Sequence, residues 1–71
     1  NPVQIAENDI DYLEMEIKAL NLAQTLELDH IEAILRAEIG NGVSKMTSKE
    51  LKRDCLLFAR RNPSLFLELA N

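Results

Sequence analysis

The chain has 71 residues, 46% of them hydrophobic and 28% charged, with a net charge of −4 and one cysteine. Such a length holds one domain at most, expected over residues 1–71, with a small core and little stability in reserve. Cys55 alone excludes an intrachain disulfide framework and fits a reducing, cytoplasmic setting, and no apolar run approaches the roughly 18 residues a membrane span needs.

The first residue is Asn and no secretion-type leader is legible, so the chain reads as a processed product, an expressed piece or an ordered fragment of something longer. Asn1-Pro2 has the look of a helix cap followed by proline at the first helical position. A second start signal lies at Asn8 or Asp9, and a helical pattern free of Gly and Pro runs from there to about Glu27. Asp29 and Glu32 have the spacing of a capping box, which predicts a break and a second helix over about 30–39. Its inner face is Ile31, Ile34, Leu35 and Ile39; a kinked continuous helix is the alternative.

Gly40-Asn41-Gly42 stops that helix, since these residues tolerate positive φ, and Val43 and Met46 tie the following loop to the core. Thr47-Ser48-Lys49-Glu50 is a capping box and predicts a third helix over about 48–61, with Leu51, Cys55, Phe58 and Ala59 facing inward. Asn62-Pro63 breaks the chain and starts a last helix, about 63–70, presenting Leu65, Phe66 and Leu69. No segment alternates with period two long enough to form a strand. The expected fold is all-α: a small bundle of about four helices, the first longest and the last two short.

The first helix carries two apolar seams. Ile10, Leu13, Ile17 and Leu20 form one; Tyr12, Met15, Ala19, Leu22 and Leu26 form the other. At about 100° per residue they lie on roughly opposite sides, so both sides need cover. The seam richer in Leu and Ile is expected to face the core. Either a later helix of the same domain covers the second seam, or another chain does. Leu56 and Leu57, off the inward face of the third helix, and Leu67 on the fourth add apolar surface beyond what a small monomer covers. Tyr12, Met15, Leu22, Leu26, Leu56, Leu57 and Leu67 are therefore the expected protein interface, with a protein partner or a homo-oligomer as the occupant.

Charge is divided unevenly. Residues 1–34 hold eight acids against Lys18, a balance of −7, whereas residues 45–61 hold six bases against Glu50 and Asp54, a balance of +4. Lys49, Arg53 and Arg60 fall within about 40° on one helix face, with Lys52 nearby and Arg61 at the end. A cationic row of this kind suits a phosphate backbone, and Lys49, Lys52, Arg53, Arg60 and Arg61 make nucleic-acid binding the second reading. Glu50 and Asp54 interrupt the row, however, and no aromatic stands among the bases for stacking. The two-ended charge also predicts that the basic face would pair with the acidic flank of Asp11, Glu14 and Glu16 in a neighbouring copy or partner.

Catalytic and metal chemistry find little support. Glu27-x-x-His30 has the carboxylate–histidine step of di-iron bundles, but a single copy needs a dimer, and a cap at Asp29 would break the helix it requires. Cys55 lies on an apolar face, where a thiol acts as a small hydrophobe. No Gly-rich phosphate loop or nucleophile elbow is present. The expectation is a non-catalytic interaction or assembly module with no cofactor, no metal and no small-molecule substrate.

Overall fold

The computed structural model describes residues Glu7–Asn71, with side chains from Ile10 onward. Its described residues form four α-helices, α1 (Glu7–Thr25), α2 (Leu28–Ile39), α3 (Ser48–Arg61) and α4 (Pro63–Ala70), with a 3-10 segment over Gly40–Lys45 between α2 and α3. The all-α bundle is thus as expected; the Asn1-Pro2 start signal lies outside the described residues.

The start of α3 is fixed by its capping box. Glu50 donates its backbone N–H to Thr47 Oγ1 at 3.2 Å, and the Thr47 N–H donates to Glu50 Oε1 at 2.8 Å. Both groups would otherwise be unpaired at the helix start. Asn62 closes α3 and opens α4 at once. Its N–H donates to the Phe58 carbonyl, its carbonyl accepts from the Phe66 N–H (both 2.9 Å), and its Oδ1 accepts from the Leu65 N–H at 3.4 Å. Pro63, buried, takes the first helical position, where its missing N–H costs nothing.

The break between α1 and α2 exists but is built differently from expectation. Glu27 is the N-cap of α2 with extended backbone, and its carbonyl accepts from the Ile31 N–H at 3.0 Å. The Asp29–Glu32 capping box does not form, because α2 begins at Leu28 and both residues are already helical. Asp29 instead sits in the first turn, where an anion favours the helix dipole, and Glu32 bonds Arg36 at 2.8 Å, one turn on. The loop expected after α2 is the 3-10 segment. There Gly40 has the left-handed φ of 80°, which ends the helix, and Val43 is buried.

The core consists of Ala19, Ala23, Ile31, Ile34, Leu35, Val43, Leu51, Cys55, Phe58, Ala59 and Phe66. Phe58 and Phe66 meet edge to face, centroids 5.9 Å apart, which ties α3 to α4. α2 packs on α3, α4 and the 3-10 segment, while α1 lies across α3 and α4. At about 1.5 Å per residue α1 is roughly 28 Å long, and the molecule's extents of 50 × 22 × 20 Å reflect an elongated body.

The two seams of α1 face opposite to expectation. Ala19 and Ala23 are buried and Met15, Leu22 and Leu26 half-buried, so the seam assigned to an external partner faces the core. Ile10, Leu13 and Ile17, assigned to the core, are 45%, 48% and 59% exposed. The reason is helix spacing: α1 must fit against two helices, and alanine lets backbones approach where Ile or Leu would hold them apart. Ile39 and Leu65 also differ from expectation. Both are exposed, beside a notch that they line with Leu57 and Arg61 where α2, α3 and α4 meet.

Candidate interaction surface

The outward side of α1 presents Ile10, Leu13 and Ile17 at steps of three and four residues, a stripe along successive turns. Leu20 continues it, half-buried, to a groove of about 510 Å³ between α1 and α3. Glu16, Leu20 and Gln24 line the groove from α1; Arg53, Leu56, Leu57 and Arg60 line it from α3. Its apolar part is thus three leucines, and both arginines are exposed. Stripe and groove are adjacent and form one continuous surface.

The residues expected from sequence to form an interface divide among four places. Leu56 and Leu57 lie in the α1–α3 groove. Met15 and Leu67 line a separate groove between α1 and α4, together with Asp11, Glu14, Lys18 and Ser64. Leu22 and Leu26 pack against the core, and Tyr12 stands 46% exposed on α1. Ile10, Leu13, Ile17 and Leu20 complete the outward surface and were not among the expected interface residues. The signal that distinguishes the seams is their size: Ala19 and Ala23 mark the side of close approach.

Lys49, Lys52, Arg53, Arg60 and Arg61 are all exposed. Among the described residues the ion pairs are Arg36–Glu32 at 2.8 Å and Arg53–Asp54 at 3.6 Å, so four of these five bases carry no ion pair with a described acid. Of these bases Arg53 and Arg60 line the groove's α3 side, which places cationic and apolar features together.

The remaining chemistry-bearing groups are engaged in the fold. Hydrogen bonds from the Thr47 backbone and side chain hold the Glu50 carboxyl below its ordinary value, with Arg53 adding to the effect. Burial pushes the Cys55 thiol up, away from the reactive thiolate. Glu27 precedes α2 while His30 lies within it, so their step does not stand on one continuous helix. Among the described residues no three His, Cys, Asp or Glu side chains gather as a metal site would require, and no helix is long and apolar enough to cross a membrane. No protein-family model, curated protein or solved structure matches the chain.

Proposed function

We propose that this chain is a non-catalytic helical interaction or assembly module that binds a protein through the outward stripe of α1 and the adjoining α1–α3 groove. The observation that carries the reading is the exposure of Ile10, Leu13 and Ile17 at 45–59% on consecutive turns of one helix. Each of these aliphatic side chains leaves about half of its surface in water, so a partner's cover would recover roughly 1 kcal/mol for each. The interface therefore centres on Ile10, Leu13, Ile17, Leu20, Leu56 and Leu57, while Met15 and Leu67 line a separate groove between α1 and α4 and Tyr12 lies away from the stripe on α1. In this reading the module works in the cytoplasm and holds no cofactor, metal or small-molecule substrate.

The test is Leu13→Asp combined with Ile17→Asp, read by circular dichroism and by solution mass or partner binding. Helicity should persist while association disappears; unchanged association with any partner the wild type binds would remove the stripe from the interface.

The exposed row of Lys49, Lys52, Arg53, Arg60 and Arg61 supports a second reading, nucleic-acid binding. Arg53 pairs with Asp54 and Leu56 interrupts the row, which favours a protein partner over a phosphate backbone. Absence of any shift of duplex or single strands at ~50 mM salt, where phosphate contacts are strongest, would end this alternative.

A further inference from the structure

From the side-by-side placement of stripe and groove we infer that the occupant is a second copy of this chain. The stripe of each copy seats on the groove of the other around a two-fold axis. This rests on the reading of the α1 surface as an interface and adds the identity of the partner. A two-fold contact uses the same patch on both sides, so each half of the patch must match the other half. Here the halves match in shape and charge. Ile10, Leu13 and Ile17 form the projecting half, and Leu20, Leu56 and Leu57 line the recessed half.

Helical spacing puts Glu14 and Glu16 on either flank of the projecting stripe. Arg53 and Arg60 stand at the α3 side of the recess; Glu16 lines its α1 wall, where stripe and recess meet, and the recess remains net basic. Seating the stripe reciprocally brings Glu14 and Glu16 of one copy towards the partner's Arg53 and the partner's Arg60, twice over. Placing stripe directly on stripe would instead oppose acid to acid. Size is consistent as well. A face two helices wide and as long as α1 is roughly 20 by 28 Å, a footprint of roughly 1,100 Å² for the pair, near the low end of specific interfaces.

Sedimentation velocity on the chain from ~1 to ~500 μM tests this, with circular dichroism confirming helicity of every variant. The wild type should be dimeric, and Leu13→Asp with Ile17→Asp should leave it monomeric. Glu14→Arg with Glu16→Arg makes both halves basic; Arg53→Glu with Arg60→Glu makes both acidic. Each charge variant alone should dimerise at least about tenfold more weakly than wild type, because like charges then meet across the contact. Mixed one to one they should form a heterodimer of near wild-type strength, since each basic half again meets an acidic one.

A monomeric wild type at the highest concentration overturns the second-copy inference, and the interface reading is then decided by whether the stripe variant loses another protein partner. A dimer broken by the stripe variant, but unaffected by single charge reversals or not restored by mixing, keeps the stripe as interface and overturns the reciprocal seating. A dimer that survives Leu13→Asp with Ile17→Asp overturns both.

Discussion

α1 and the segment from α2 to α4 obey different packing rules. Among the described residues, 28–70 supply every large, fully buried side chain, including Phe66, Ile31, Ile34, Leu35 and Val43, each with at most 2% exposure. From the described side chains of α1 the buried ones are Ala19 and Ala23, while Ile10, Tyr12, Leu13 and Ile17 remain in contact with water. The later helices interlock through volume; α1 lies on them through closeness. Where burial is achieved by small residues, large residues are left for other contacts. A helix docked in this way keeps its most adhesive side chains outside.

Substitutions in the two regions should separate these rules. The largest effect is expected at the interlocked end: Phe66→Ala or Leu35→Ala removes a fully buried side chain and should cost about 3–5 kcal/mol in denaturant unfolding. Equal tolerance at these positions and at Leu13 would dissolve the distinction. Next comes Ala19→Leu, which forces volume into the α1 contact and should cost about 1–3 kcal/mol. Amide hydrogen exchange should then accelerate in α1 more than in α3; uniform acceleration would show that α1 is part of one indivisible core.

A smaller effect, about 1 kcal/mol, is expected for Thr47→Ala, because the Glu50 N–H loses its acceptor. This contrast carries a pH signature. The Glu50 carboxyl has its pKa lowered in the folded chain, so its stabilising contribution is present above the ordinary glutamate value of 4.5 and is lost as pH falls below it. Thr47→Ala keeps the backbone N–H that contributes most to this shift, so the loss of stability below pH 4.5 should largely persist in Thr47→Ala and be missing in Glu50→Gln; an undiminished loss in Glu50→Gln would contradict the capping role. The smallest effect belongs to the exposed stripe. Under conditions where the chain is monomeric, Leu13→Asp should change stability by no more than about 0.5 kcal/mol, and marked unfolding would return Leu13 to the core.

The contrast also explains what was legible in the residues. Thr47 with Glu50 and Asn62 with Pro63 place the ends of α3 and α4 correctly, because local hydrogen bonding decides those boundaries. Leu51, Cys55, Phe58 and Phe66 are inside as their spacing predicts. The orientation of α1 is not recoverable from hydrophobicity, since both seams are apolar and the side marked by Ala19 and Ala23 faces inward. Asp29 and Glu32 misled for a related reason. Their spacing fits a cap, but α2 starts two residues earlier, capped at Glu27 with its first residue Leu28 packed against the core. As a result the apolar surface of α1 was legible but its direction was not. That Leu56 and Leu57 lie off the inward face follows from the spacing of the third helix alone, whereas the outward position of Ile10, Leu13 and Ile17 depends on the tertiary contact of α1.

Asn62 has a mechanical consequence for the α1 seat. One residue terminates α3 through its N–H and begins α4 through its carbonyl and side chain, with no intervening linker. The corner is therefore a bracket without slack, braced from inside by the edge-to-face pair of Phe58 and Phe66. A pull on α4 reaches α3 as torque, and the two arms hold their opening angle. Because α1 rests on both arms, the bracket acts as a jig: it sets the pitch at which the stripe projects from the bundle.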